Sequence, residues 1–212
     1  MSHHPTIVLI HGIFSSEHAL TPLRRFFERY NYPTLAISYP SRQLSIEDSA
    51  EHVYERLCHR LQPNETFHVV GHSLGGIILR VIAHKHPSII HTRQLQRAVM
   101  LGTPNHGSAA AAMLSKSRLG RHILGPSGAQ LVPYADFLVR SLGQTLFTVG
   151  VIAGNRSINP LSNLIFKGEP NDGAVAVEAT KLAGMSDWIE LPTHHSGLYT
   201  NTEAQRQTLF FL

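Results

Sequence analysis

The chain has 212 residues, of which 42% are hydrophobic and 15% are charged, a balance typical of a globular domain and unlike that of a disordered chain. Its net charge is +4, but the lysines and arginines are scattered and form no run of five or six, so the charge does not indicate a nucleic-acid partner. No stretch approaches the roughly 20 apolar residues of a transmembrane helix, which excludes an integral membrane segment of that kind.

The N-terminus and the cysteine content suggest a cellular compartment. Met1-Ser2-His3-His4-Pro5 has neither the charged region nor the apolar region of a signal peptide, and we therefore expect a mature, cytoplasmic protein. The single cysteine, Cys58, cannot form an internal disulfide, which is consistent with a reducing compartment. Among the 15 histidines, the clusters His3-His4, His84-Lys85-His86 and His194-His195 lack cysteine companions and HExxH spacing, so no metal site is predicted.

Apolar, β-branched runs alternate with helical stretches along the chain, and this alternation predicts an α/β fold with a mostly parallel sheet. We expect one domain over residues 1–212. The predicted strands are Ile7–Ile10, Thr34–Tyr39, Phe67–Val70, Arg97–Leu101, Thr145–Ile152 and Trp188–Leu191. The predicted helices are Glu17–Tyr30, a helix capped by Ser45 that runs to Leu61, Leu74–Ala83 and Glu203–Phe211.

Residues 109–142 follow the fourth strand and are predicted to be helical in patches, with breaks at Gly125-Pro126 and Pro133. We interpret this segment as a helical cap or lid. Its apolar residues either hold an acyl chain or pack the cap onto the core, and the sequence leaves both alternatives open. They are Ala109 to Leu114, Leu119, Ile123, Leu124, Leu131, Val132, Phe137 and Leu138.

A nucleophile motif lies at the corner between the third strand and the next helix. Gly71-His72-Ser73-Leu74-Gly75 matches G-x-S-x-G, in which a strained turn exposes the serine oxygen and flanking glycines leave room for it. The Leu74 N–H at the helix N-terminus can stabilise an oxyanion, and Ile13 N–H, after the first strand, is the candidate second donor. The alternatives are a simple Gly-Ser-Gly turn and, for Gly12, a simple turn after a strand.

Five motifs in order carry a family resemblance: Ile10-His11-Gly12-Ile13-Phe14, the serine motif extended to Gly76, Gly102-Thr103-Pro104-Asn105-His106-Gly107-Ser108, Pro170-Asn171-Asp172-Gly173-Ala174-Val175 and Thr193-His194-His195-Ser196-Gly197-Leu198. Together they resemble the α/β-hydrolase superfamily, specifically compact bacterial lipases and esterases. The order Ser, Asp, His is that family's order. The resemblance implies an α/β-hydrolase fold of about six strands, without the leading antiparallel strands of larger members.

The resemblance also implies the catalytic residues. Ser73 would be the nucleophile, His195 the base and Asp172 the acid, although Asn-Asp-Gly is also a favoured turn and His194 is the alternative base. Glu169, Glu178 and Asp187 are less suited to reach the histidine and are interpreted as solvated charges. His11 and His72 are interpreted as packing or supporting groups, and His106 as structural.

The implied function is hydrolysis of a carboxylic ester, as an esterase or lipase, through an acyl-enzyme. The substrate would be a small-molecule ester or a lipid, and the chemistry requires no metal or organic cofactor. An acyltransferase or thioesterase on the same fold is an alternative, because another nucleophile can intercept the acyl group. A non-catalytic binding domain is the other, and an altered triad would be its expected feature.

Overall fold

A computed structural model describes residues 4–92, 94–133, 138 and 141–212. Its centre is a six-stranded sheet in which every neighbouring pair is parallel, with the strand order β2-β1-β3-β4-β5-β6. The predicted α/β fold with about six strands is therefore confirmed. The strands are β1 (Thr6–Ile10), β2 (Thr34–Ile37), β3 (Phe67–His72), β4 (Leu95–Leu101), β5 (Val149–Gly154) and β6 (Asp187–Leu191).

Helices connect successive strands, as parallel neighbours require. Three 3₁₀ turns, Glu17–Leu20, Glu178–Thr180 and His195–Gly197, accompany them in the described residues. The α-helices whose bounds lie in the described residues are α1 (Thr21–Arg29), α2 (Ile46–Arg60), α3 (Leu74–Lys85), α4 (Ser88–His91), α5 (Ala109–Leu114), α6 (Arg118–Ala129), α7 (Ser162–Ile165) and α8 (Thr202–Phe211).

Several predicted boundaries differ from the structure. The predicted helix Glu17–Tyr30 is a 3₁₀ turn followed by α1, which has a proline in its first turn. β2 ends at Ile37 and not at Tyr39, because the Tyr39 N–H is bound by the His11 ring. β5 begins at Val149 and not at Thr145, whose N–H donates to Ala183 in a neighbouring loop.

The predicted cap segment begins with two helices, α5 and α6, each capped at its N-terminus by a serine hydroxyl, Ser108 and Ser117. Gly125, with φ +66°, interrupts α6 just before Pro126, where the sequence predicts a break. Residues 134–137 and 139–140 lie outside the described residues, and Phe137 is among them. The structure therefore describes this segment only in part.

Both faces of the sheet are buried, which explains why its strands are almost continuously apolar. Alternate residues of β1 point to opposite sides: Val8 and Ile10 pack with α2 and α3, whereas Ile7 and Leu9 pack with α1. In the described residues, no helix is long and apolar enough to cross a membrane.

The parallel arrangement gathers the loops that follow the strands at one edge of the sheet. The ends of β1, β3 and β4 are neighbours there, with β5 and β6 beside them. Ligands of open α/β sheets bind at this carboxyl edge. The Ser73 corner, the loop after β1 and the Asp172 and His195 loops all follow strands at this edge.

Candidate active site

Ser73 lies in a sharp turn between β3 and α3, with φ 54° and ψ −121°. A positive φ is strained for a residue with a side chain, and such strain persists only where the surroundings impose it. Here the Ser73 N–H donates to the carbonyl of Leu101 at 2.8 Å, which ties the turn to the end of β4. The turn thus has the strained backbone that the motif predicts.

The glycines of the turn are required by close backbone contacts. A Cβ added at Gly71 would lie 2.7 Å from the Gly76 nitrogen. A Cβ at Gly75 would collide with the carbonyl oxygen of Ile10 at the end of β1. Side chains at these two positions would therefore push α3 away from the sheet and displace Ser73.

Asp172 and His195 form a hydrogen-bonded pair, with 2.7 Å between His195 Nδ1 and Asp172 Oδ2. The Asp172 side chain is fully buried, and its other oxygen accepts from the N–H groups of Ala174 at 3.0 Å and Val175 at 2.8 Å. The His195 N–H also donates to the Asp172 carbonyl at 2.9 Å. Both the ring and the backbone of His195 are thus held by the Asp172 loop.

Of the two adjacent histidines, the structure places only His195 beside Asp172. The ring of His194 instead accepts from the Gly197 N–H at 3.2 Å and caps the 3₁₀ turn. The other acidic candidates do not reach His195: Glu178 pairs with Lys181, and Asp187 accepts from the Trp188 N–H.

Ser73 and His195 line the same cavity, of about 730 Å³. The Ser73 hydroxyl makes no hydrogen bond within the described part of the chain. In uncomplexed sites such hydrogen bonds are often long and tighten when substrate binds. Since Nδ1 of His195 is bound to Asp172, its Nε2 is the nitrogen left to accept a serine proton.

The cavity is lined largely by apolar and small residues. No aspartate, glutamate, lysine or arginine is among the described residues that line it. Its lining residues are Ile13, Phe14, Ser15, Ser16, Ala19, His72, Ser73, Pro104, Ser108, Ala110, Ala111, Leu114, Leu124, Leu131, Ala174, Val175, His195, Ser196 and Tyr199.

The loop after β1 lies directly against Ser73, since a Cβ at Gly12 would be 2.9 Å from the Ser73 Cβ. Ile13 lines the cavity, and Leu74 begins α3, where the first N–H groups have no partner within the helix. Neither the Ile13 N–H nor the Leu74 N–H has a hydrogen-bond partner among the described residues. Leu74 thus directly follows Ser73, and Ile13 directly follows the glycine that contacts it.

His11 anchors this loop. Its Nδ1 donates to the Gly12 carbonyl at 2.8 Å, and its Nε2 accepts from the Tyr39 N–H at 3.3 Å. The Tyr39 hydroxyl donates to the His11 carbonyl at 2.7 Å. Burial lowers the pKa of His11, which keeps the ring in the neutral form that this pattern requires.

His72 has a more specific contact than the sequence predicts. Its Nε2 donates to the carbonyl of His195 at 3.1 Å, and its ring packs edge-on against Tyr199. Burial, followed by the nearby His195, lowers the pKa of His72 to about 3, so the ring is neutral in ordinary buffers. His72 thus connects the serine turn to the His195 loop.

The sequence motifs did not predict two contacts that support the site, although Gly102 belongs to one of those motifs. Gly102 has φ +57°, and a Cβ there would lie 3.0 Å from Asp172 Oδ2 and 3.1 Å from His195 Nδ1. The Ser108 hydroxyl donates to the Ala174 carbonyl at 2.7 Å and joins the start of α5 to the Asp172 loop. A glycine at the end of a central strand is the signal that could have indicated the first contact.

The structure also bears on metal binding and on His106. Among the residues that the structure describes, no group of three or more His, Cys, Asp or Glu is placed to hold a metal ion. The His106 N–H donates to Ala179, and its side chain is exposed and does not line the cavity.

Comparisons with solved structures show the same architecture. The mature form of the Bacillus licheniformis lipase BlEst2 has a TM-score of 0.79 at 20% identity, over 100% of this chain and 93% of that one. The metagenomic carboxyl esterase MGS0156 has a TM-score of 0.75 at 16% identity, over 100% of this chain and 76% of that one. The Legionella pneumophila phospholipase PlaB, in complex with thio-NAD, has a TM-score of 0.70 at 22% identity, over 84% of this chain and 44% of that one.

At these identities the likeness concerns the fold. A comparison of the sequence with curated proteins gives no match. The family model described as the alpha/beta hydrolase family matches residues 7–202, which include every motif described above. The chain therefore belongs to the alpha/beta hydrolase family.

Proposed function

We propose that the protein is a serine hydrolase that cleaves carboxylic esters. The observation that carries this proposal is the hydrogen bond from His195 to the buried Asp172, because His195 lines one cavity with the strained Ser73 and has Nε2 left as the available base. A carboxylate that fixes an imidazole beside a serine is the arrangement that activates a hydroxyl near neutral pH.

The reaction follows from these positions. Ser73 Oγ attacks the ester carbonyl carbon and passes its proton to His195 Nε2, while Asp172 stabilises the imidazolium. The oxyanion lies between the N–H groups of Ile13 and Leu74, and the loss of one such donor typically raises the barrier by about 2.7–4 kcal/mol. Collapse expels the alkoxide, which takes the proton from His195.

Water completes the cycle. His195 removes a proton from water as the water oxygen attacks the acyl-Ser73 carbonyl. The second tetrahedral intermediate then collapses, the bond to Ser73 Oγ breaks, and Oγ takes the proton back from His195 as the acid is released. No metal or cofactor takes part in these reaction steps.

The cavity supports a neutral, largely apolar acyl group as the substrate. A buried charge is costly without a partner, and the described residues that line this cavity include no ionised side chain apart from His195 when it is protonated. Residues 109–142 act as the cap in this proposal, because Ala110, Ala111, Leu114 and Leu124 contribute to the cavity wall. Two of the compared structures are described as a lipase and a carboxyl esterase, which agrees with ester cleavage.

The test is hydrolysis of p-nitrophenyl esters from acetyl to palmitoyl, with fluorophosphonate labelling in parallel. We expect turnover and labelling in the wild type and the loss of both in Ser73→Ala. Ser16→Ala is the matched control, because Ser16 also lines the cavity and its hydroxyl makes no capping hydrogen bond. It should retain both signals.

Other results would redirect the proposal. Labelling of Ser73 without ester turnover would support the acyltransferase or thioesterase alternative. A folded wild type with neither signal would refute hydrolysis and favour a binding role.

A further inference from the structure

Exposed apolar side chains cluster on the segments around the cavity. Phe14 and Leu114 line the cavity and are nevertheless 53% and 37% exposed, so they stand at its entrance. Met113 is exposed on α5, which also carries Leu114, and Leu119 and Ile123 are exposed on α6. Patches of this kind on a soluble domain mark interaction sites.

The segment around α7 extends this apolar group, because α7 packs against α5. Ile158, Leu161 and Leu164 are all exposed there, Leu164 at 74%. The following residues are named the entrance surface: Phe14, Met113, Leu114, Leu119, Ile123, Ile158, Leu161 and Leu164.

The charges within the two segments that carry most of the entrance surface have one sign. Residues 104–133 contain Lys116, Arg118 and Arg121 and no aspartate or glutamate, and residues 155–168 contain Arg156 and Lys167 and again no acid. In the described residues, none of these five cations forms an ion pair, and all five side chains are exposed. The apolar side chains are therefore set in a basic surrounding.

We infer that the entrance surface docks on a lipid bilayer that contains anionic lipid. Exposed apolar side chains insert at the boundary between headgroups and acyl chains, and nearby lysines and arginines are attracted to the anionic headgroups. The inference rests on the proposed function, because docking in this orientation turns the cavity that contains Ser73 towards the membrane and its esters.

A second copy of the chain fits this surface less well. A symmetric dimer would place the same patch on both subunits, so the cations of residues 116–121 would face their own copies. Like charges across an interface are unfavourable. An anionic partner removes this repulsion.

The experiment measures sedimentation with vesicles of neutral phosphatidylcholine and with vesicles that also contain phosphatidylserine. Ser73→Ala is the background, so that hydrolysis cannot alter the vesicles. We expect binding to the anionic vesicles only, and its weakening in high salt. The triple variant Lys116→Gln/Arg118→Gln/Arg121→Gln should bind about 100-fold more weakly, about fivefold per charge.

The matched control removes three exposed arginines elsewhere, in Arg29→Gln/Arg56→Gln/Arg60→Gln. Arg29 and Arg60 end α1 and α2, at the sheet edge opposite the cavity. Binding of this control should change less than about fivefold, since its charges are beyond the screening distance of about 10 Å from a docked membrane.

A second pair of variants tests the apolar contribution. Leu119→Ser/Leu164→Ser should weaken vesicle binding about tenfold or more, because the variant lacks two leucine side chains whose transfer from water into the bilayer favours binding. Phe210→Ser is the control, since Phe210 is 87% exposed on α8 and outside the entrance surface. It should bind as the background does.

Three results would overturn the inference: equal binding to neutral and anionic vesicles, unchanged binding of the lysine and arginine triple variant, or self-association that depends on the entrance leucines. Hydrolysis of soluble p-nitrophenyl acetate by the same variants in the active background separates the two proposals. Turnover without docking refutes only the inference, whereas docking without turnover refutes only ester hydrolysis.

Discussion

Replacing His72 by glutamine should make the protein more resistant to acid. The His72 ring is buried and donates through Nε2 to the His195 carbonyl, while its Nδ1 has no hydrogen-bond partner among the described residues. Protonation of Nδ1 would place a positive charge in a buried site. Glutamine can place an amide donor near the position of Nε2 but does not titrate.

The size of the effect follows from the pKa of His72, about 3 when folded and about 6.5 as the unperturbed value. As the pH falls below 6.5, the unfolded chain binds a proton at His72 and the folded protein does not. The stability linked to this neutral ring is therefore fully present above pH 6.5 and is lost as the pH falls towards 3. At about 1.4 kcal/mol per pH unit, the loss between pH 7 and pH 4.5 is about 2.5 kcal/mol.

Urea unfolding of the wild type and of His72→Gln at pH 7 and pH 4.5 measures the loss of stability that is linked to His72. The buried His11 and His68, whose pKa values burial also lowers, are present in both proteins and cancel in the comparison. The free energy of unfolding of the variant should fall by about 2.5 kcal/mol less than that of the wild type between the two pH values. Identical pH dependence of the two proteins would refute the reasoning.

Three further substitutions test the site. Asp172→Asn should lower kcat for p-nitrophenyl esters about 10⁴-fold with native circular dichroism, because the amide no longer fixes the His195 tautomer; near-native turnover would contradict the assigned acid. Gly75→Ala should lower the free energy of urea unfolding by about 3 kcal/mol, since its Cβ meets the Ile10 carbonyl, and an unchanged value would disprove that contact. Ala110→Phe should lower kcat/KM for the palmitoyl ester about tenfold while leaving the acetyl ester within about threefold; equal losses would show that Ala110 does not contact the acyl chain.

The parallel sheet could be predicted from the sequence because apolar runs and helical runs alternate in regular order. The end of β2 could not be predicted in this way. Tyr39 is apolar enough to extend the strand, but the His11 ring, 28 residues earlier, takes its N–H. The start of β5 was predicted too early for a similar reason, since the Thr145 N–H donates to the carbonyl of Ala183, which is distant in sequence but adjacent in space.

Local motifs indicated the candidate site residues, but the contacts between them depend on distances across the fold. The choice between His194 and His195 is an example, because both are adjacent and both are histidines. The structure separates them through the 3₁₀ turn, in which the His194 ring accepts from Gly197 and the His195 ring faces Asp172. The role of His72 was also hidden, because its partner carbonyl belongs to a residue 123 positions later.

The contrast between the inside and the outside of the cavity restricts how a substrate could be placed. The described lining provides no lysine or arginine, whereas Arg118 and Arg121 are exposed on α6 and Lys116 is exposed on the turn between α5 and α6, the helices that contribute to one wall. A charged headgroup is therefore stabilised outside, where water and the cations surround it, and is destabilised inside. An ester that reaches Ser73 would place its neutral acyl chain within the cavity and keep any anionic group at the entrance.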